Sequence, residues 1–124
     1  MSDDLVAEAN ASNTGGEIKV VRANTWYDCP QLFYASRETI RRTEWNVVTS
    51  SNDPVLNIEI RKLSSDGEIL CHTTNLLRGS TDAFNGHDIY GQWQVRFMIE
   101  GHDIPNRTIR MHHLTFLHAR APHS

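Results

Sequence analysis

Residues 54–63, Pro-Val-Leu-Asn-Ile-Glu-Ile-Arg-Lys-Leu, decide the fold class of this chain. Leu56, Ile58 and Ile60 share one parity, and a polar residue follows each of them. Successive side chains of a β-strand point to opposite faces of a sheet. The pattern therefore predicts a strand with one buried face and one face in solvent.

The neighbouring segments have the same character. Ser64-Ser65-Asp66-Gly67 has the composition of a turn and residues 68–73 return from it, which predicts a β-hairpin. Residues 36–42 and 75–83 are too short and polar to predict stable helices. The remaining β-like runs cover residues 18–23, 32–35, 44–49, 89–100 and 107–118. Seven or eight short strands predict an all-β fold, a single antiparallel β-sandwich of jelly-roll type.

The last predicted strand breaks its own alternation. Ile109 and Met111 share one parity, whereas Leu114 and Phe116 share the other. A continuous strand would leave one of these pairs in solvent. A β-bulge at His112-His113 adds one residue and returns both pairs to one face, so we predict a bulge there.

The apolar positions of these strands form the predicted core of one domain, since a chain of this length can bury enough apolar surface to fold alone. The core is predicted to contain Val20, Trp45, Val47, Leu56, Ile58, Ile60, Leu70, Trp93, Val95, Phe97, Ile99 and Leu114.

Composition limits the class of protein. The chain has 124 residues, of which 39% are hydrophobic and 22% charged, as in an ordinary globular domain. The formal charge of −3 gives no indication of a nucleic-acid partner, and no apolar run is long enough for a transmembrane helix. Residues 1–16 are small, polar and acidic, so we expect a flexible leader before a β-sandwich domain at 17–124.

The start of the chain, Met1-Ser2-Asp3-Asp4, has neither the basic nor the apolar region of a secretory signal. We therefore expect a cytoplasmic protein that makes no membrane contact. In that compartment Cys29 and Cys71 are expected to be free, mostly buried thiols. The alternative is one disulfide bond between them.

Motifs of enzymes are missing from the sequence. It contains no Gly-x-Ser-x-Gly, no His-Glu-x-x-His and no glycine-rich phosphate loop, so we expect no catalytic activity and no cofactor. The repeated Gly86-His87-Asp88-Ile89 and Gly101-His102-Asp103-Ile104 is typical of turns. The alternative is a metal site of His102 or His87 with His112 and His113, on the expectation that the last strand pairs with residues 90–100.

Aromatic residues give the clearest binding signal. Trp26-Tyr27-Asp28 lies in a loop-like stretch with little core to fill, and exposed aromatic rings bind the apolar faces of sugars and bases. We predict a ligand site that consists of Trp26, Tyr27, Asp28, Tyr34 and Tyr90.

Arg37, Arg41 and Arg42 form the basic cluster of the sequence. A phosphate or sulfate partner fits such a cluster. The alternative is a solvated face whose charge Glu38 and Glu44 offset, and this interpretation is favoured.

Residues 55–118 resemble the P domain that accompanies kexin-like and bacterial subtilisin proteases. Residues 55–60 resemble its apolar strand, and residues 63–70 its hairpin. Phe84-Asn85-Gly86, followed by Gly91-Gln92-Trp93, resembles its Phe-x-Gly and Gly-x-Trp motifs, and Ile109 to Phe116 resembles its closing strand. The resemblance implies a jelly-roll sandwich with a non-catalytic accessory role, and it implies no particular ligand.

Three functions follow as hypotheses. The first is a non-catalytic binding module that recognises carbohydrate or a protein surface through loop aromatics. The second is a self-assembling structural subunit of a virus, a phage or a surface layer, in which the chain forms a homo-oligomer. The third is a metal-dependent enzyme with the His/Asp site described above.

Overall fold

The computed structural model describes residues 5–8, 17–20, 22–35, 40–50, 55–63, 70–104 and 106–119. In this part of the chain there are nine β-strands and no α-helix. Accordingly, none of these residues belongs to a helix that could cross a membrane. The strands are β1 (Leu5–Glu8), β2 (Ile18–Val20), β3 (Tyr27–Ala35), β4 (Arg42–Thr49), β5 (Leu56–Leu63), β6 (Cys71–Thr74), β7 (Arg78–Thr81), β8 (Gly91–Ile99) and β9 (Arg107–Ala119).

The strands form two antiparallel sheets. The five-stranded sheet has the order β1-β9-β4-β7, and β2 also pairs with β9. The four-stranded sheet has the order β3-β8-β5-β6. The all-β prediction is confirmed. The predicted pairing of residues 54–63 with the returning segment 68–73 is confirmed as well, because β5 pairs with β6, whereas residues 64–69 lie outside the described residues.

Two strands are absent from the sequence prediction. Leu5–Glu8, which was expected to belong to the flexible leader, is β1 and pairs with β9 from Phe116 to Ala119. The rest of residues 1–16 lies outside the described residues. Arg78–Thr81, expected to be part of a polar connection, is β7 and pairs with β4.

One core lies between the two sheets. The rings of Trp93 in β8 and Phe116 in β9 join the sheets, with centroids 5.1 Å apart. Ten of the twelve predicted core residues are buried. Of the other two, Leu70 is partly buried against the core, and the side chain of Val20 lies outside the described part of the chain. Buried residues that were not predicted include Phe33, Ala35, Ile40, Phe84 and Ile89.

The predicted bulge is present in β9. Met111 pairs with Val47 and His113 pairs with Asn46, which are neighbours in β4, so His112 is the extra residue. Met111, Leu114 and Phe116 are all buried as a result. The bulge therefore corrects the register of the strand, as its hydropathy pattern required.

The edge strand β3 is irregular as well. Asp28 pairs with Arg96 and Leu32 pairs with Gln94, so two extra residues lie between these pairs on β3. Pro30 lies in this segment, and edge strands and bulges tolerate proline because no ladder hydrogen bond is lost there. Both cysteines are free, as expected, and Cys29 is buried. The expectation of a buried thiol is wrong for Cys71, which is exposed because it lies in the edge strand β6.

One edge of the five-stranded sheet, the strand β7, depends on a close contact. Trp45 of β4 and Gly79 of β7 face each other there. The indole Nε1 of Trp45 donates a hydrogen bond of 2.9 Å to the carbonyl oxygen of Leu76. A Cβ atom on residue 79 would lie 2.9 Å from Cζ2 of Trp45, closer than side chains tolerate. Only glycine fits beneath this indole.

We expect Gly79→Ala to lower the free energy of unfolding by about 1–3 kcal/mol, because the anchored indole of Trp45 must move. Denaturant titration checks this value. Ser80→Ala, at the exposed next position of β7, is the matched control and should change stability by less than about 0.5 kcal/mol. An equal loss in both variants would contradict the proposed contact.

Candidate functional site

Charged side chains cross the outer face of the four-stranded sheet in a single row. Arg96 of β8 pairs in register with Asp28 of β3 on one side and with Glu59 of β5 on the other. Its Nε donates to Oδ1 of Asp28 at 3.2 Å, and its Nη1 donates to Oε1 of Glu59 at 3.3 Å. We call these three residues the arginine row.

Trp26 covers this row. Its ring lies 5.3 Å from the guanidinium carbon of Arg96, within the range of a cation–π interaction. Trp26 is half-buried and precedes β3, whereas Tyr27 and Asp28 are the first residues of that strand. Tyr27 packs against the core, and its hydroxyl accepts a hydrogen bond from the backbone N–H of Arg22 at 3.2 Å. Of the three neighbouring residues that were predicted to bind a ligand, Trp26 and Asp28 therefore meet at the arginine row, whereas Tyr27 faces the core.

The two other predicted aromatic residues form a separate group. The rings of Tyr34 and Tyr90 meet edge to face, with centroids 5.7 Å apart. Tyr34 is 45% exposed, Tyr90 51% and Leu32, on the same face of β3, 50%. We call these three residues the tyrosine patch. It lies at the opposite end of β3 from Trp26, so the five predicted ligand residues do not form one cluster.

On the same outer face, two glutamines of β8 continue from the arginine row and lie beside the tyrosine patch, where Gln94 pairs in register with Leu32. Gln92 and Gln94 alternate with buried residues of β8, and Gln92 pairs in register with Tyr34. Cys71 lies on the other side, at the edge of the sheet, where burial and then the Glu59 carboxylate raise the pKa of its thiol. A raised pKa disfavours the reactive thiolate form of Cys71.

The predicted basic cluster is only partly described, since Arg37 and Glu38 lie outside the described residues. Arg41 and Arg42 are both exposed. Nε of Arg42 lies 3.3 Å from Oε2 of Glu44, so this acid offsets the charge as the second interpretation predicted.

The Gly-His-Asp repeats adopt turns. Gly86 and Gly101 have φ values of 82° and 111°, which glycine adopts without strain. Oδ1 of Asp88 accepts the backbone N–H of Tyr90 at 3.0 Å, a local bond of the predicted kind. Oδ1 of Asp103 instead accepts the N–H of Ala23 at 2.6 Å and so connects distant segments.

The alternative metal site loses its structural basis. β9 was expected to pair with residues 90–100, but it belongs to the five-stranded sheet and pairs with β1, β2 and β4. Within the described ranges, no group of three metal-binding side chains is close enough to hold an ion. His112 and His113 are adjacent on the bulge, without His102.

Sequence reasoning missed Arg96 and interpreted Glu59 as part of a solvated surface. Neither residue carries a local motif, and only the pairing of β3, β8 and β5 brings them to Asp28. No family model matches the chain, and neither a curated protein nor a solved structure shows significant similarity to it.

His72 lies at the border of the core. Its ring centroid is 5.5 Å from that of Trp45 and 6.3 Å from that of Phe84. Burial lowers the pKa of His72, and it also lowers that of His113. The unfolded chain therefore binds protons near pH 6.5 that the folded chain does not bind, and stability is lost as the pH falls through this range.

We expect the free energy of unfolding to decrease between pH 7.5 and pH 5.0, and to decrease less in His72→Phe, which cannot bind that proton. Urea titrations at several pH values give the comparison. His102→Phe, made at an exposed position, is the control. If His72→Phe retains the full decrease, the assignment to His72 is wrong.

Proposed function

We propose that this protein is a non-catalytic module that binds carbohydrate on the outer face of its four-stranded sheet. The observation that carries the proposal is the arginine row with the Trp26 ring against it. This row combines two carboxylates, a guanidinium and an aromatic ring on one open face.

Sugars present hydroxyl groups that donate and accept hydrogen bonds, together with an apolar C–H face. A carboxylate accepts from hydroxyls, a guanidinium donates to them, and an aromatic ring packs on the C–H face. The side chain of Asp28 is 61% exposed, so it can take a ligand while it remains paired with Arg96. Arg96 is held by two partners, and such preorganisation reduces the entropy lost on binding.

The length of the face suits a chain of several sugar rings. Gln94 and Gln92 continue from Arg96 along β8, and four residues of extended strand span about 13 Å. Amide groups both donate and accept hydrogen bonds, which matches the hydroxyl pattern of a sugar.

We also infer that the two sheets form a jelly roll. Support comes from four nested antiparallel pairs, β5 with β6, β4 with β7, β3 with β8 and β2 with β9. Alternate pairs belong to opposite sheets, as in a long hairpin rolled around one core. Lectin and capsid domains share this architecture, and the resemblance of residues 55–118 to the P domain also favours a non-catalytic role.

The tyrosine patch favours a second candidate, a protein partner. Leu32, Tyr34 and Tyr90 are each about half exposed, and aromatic residues of this kind are enriched at protein interfaces. A second copy of this chain is one such partner, as the structural-subunit hypothesis requires. Light scattering between pH 5 and pH 8 tests self-association.

A glycan array, followed by calorimetry with the best oligosaccharide, tests the proposed function. We expect Trp26→Ala to weaken binding about tenfold, because stacking on an aromatic ring contributes about 1–3 kcal/mol. Val48→Ala, at an exposed position of β4 in the other sheet, should leave affinity unchanged.

No response at millimolar oligosaccharide would overturn the carbohydrate proposal and leave the protein partner. Glycan binding that is lost in Tyr34→Ala and retained in Trp26→Ala would also overturn it, since the site would then be the tyrosine patch.

A further inference from the structure

The bulge in β9 places two histidines side by side on the outer face of the five-stranded sheet. Met111 and Leu114, on either side of them, are buried, whereas His112 is exposed and His113 is half-buried. Their ring centroids are 5.6 Å apart. In a regular strand, adjacent residues would point to opposite faces, so the bulge creates this pair.

A pocket of about 240 Å³ lies beside His113. Glu44, Arg78, Ser80 and His113 line it, together with Trp45 and Gly79. The strand register explains this grouping, because Asn46 of β4 pairs with His113 on one side and with Arg78 on the other. Three strands thus contribute to one pocket, which we call the histidine pocket.

The charges around the histidine pocket favour an anion. Arg78 of β7 lines the pocket and His112 of β9 lies next to His113, whereas Glu44 of β4 is the only acid among the described residues of its lining. Glu44 is already paired with Arg42, which reduces the repulsion between Glu44 and an anion bound in the pocket. This face is therefore basic although the whole chain carries a formal charge of −3.

We propose that the histidine pocket binds an oxyanion, the sulfate or phosphate group of a free ion or of an ester, between Arg78, Ser80 and His113. A guanidinium holds two oxygens of such a group at once, and a hydroxyl donates to a third. The imidazole of His113 adds a second charged donor when it is protonated. This site lies on the five-stranded sheet, whereas the proposed carbohydrate site lies on the four-stranded sheet. The oxyanion proposal therefore does not depend on carbohydrate binding.

Binding should be tighter at acidic pH. Burial, and then the neighbouring His112, lowers the pKa of His113, with Arg78 acting in the same direction and Glu44 against it. His113 is therefore neutral at pH 7.5 in the empty pocket. A bound anion favours the protonated ring, so proton uptake and anion binding strengthen each other.

Titration with sodium sulfate at pH 5.5 and pH 7.5 tests the proposal, with chloride used to hold the ionic strength constant. Imidazole resonances of His112 and His113 are followed by nuclear magnetic resonance. We expect saturable shifts and an affinity at least about threefold higher at pH 5.5. Parallel titrations with inorganic phosphate and with methyl phosphate distinguish the sources, since tighter binding of the ester identifies an esterified ligand.

Variants identify the site. Arg78→Gln should abolish the saturable shifts, Arg78→Lys should weaken them, and His113→Gln should remove their pH dependence. Arg22→Gln makes the same charge change at an exposed residue elsewhere and should have no effect. Shifts that grow linearly with sulfate, or that are equal in Arg78→Gln and Arg22→Gln, would overturn the proposal.

Discussion

Strand β9 can bury Met111 and Leu114 together only because it contains one extra residue between them, His112, which has no pairing partner on β4. This constraint affects the whole five-stranded sheet, since β1, β2 and β4 all pair with β9. The register of β9 also places Phe116 against Trp93 of the opposite sheet, 5.1 Å between ring centroids. A strand without the bulge would turn one half of its apolar residues toward solvent and remove one side of the core.

The same alternation that forms the core determines what each outer face presents. On β8 the buried Trp93, Val95 and Phe97 leave the intervening polar residues outward, and pairing with β3 and β5 places Arg96 between two carboxylates. On the other sheet, the bulge turns two adjacent histidines outward beside Arg78. The two proposed sites thus lie on opposite sides of one core and differ in charge, since the first contains two carboxylates and the second contains one, that of Glu44.

The local sequence was sufficient to predict a strand wherever burial of one face imposes an alternation of apolar and polar residues. It predicted β5, β8 and the bulge, because one misplaced residue there would expose apolar side chains. It was insufficient for β7, whose Arg-Gly-Ser-Thr sequence has no apolar alternation and which is a strand because it pairs with β4 beneath Trp45. Arg96 was missed for a similar reason, since the residue it meets, Asp28, is 68 positions away in the chain. The predicted pairing of β9 with residues 90–100 was wrong. Hydropathy determines which face of a strand is buried, but it does not determine which strand lies beside it.

Removing single residues from β9 tests the central claim most directly. Deletion of His112 leaves Met111, His113 and Leu114 in regular alternation, so the free energy of unfolding should change by less than about 1 kcal/mol. Deletion of Thr115, three positions further along, should cost at least about 3 kcal/mol or prevent folding, because Phe116 would turn outward. Urea titration of both variants gives the comparison. Equal destabilisation by the two deletions would contradict the claim that His112 is the residue that corrects the register.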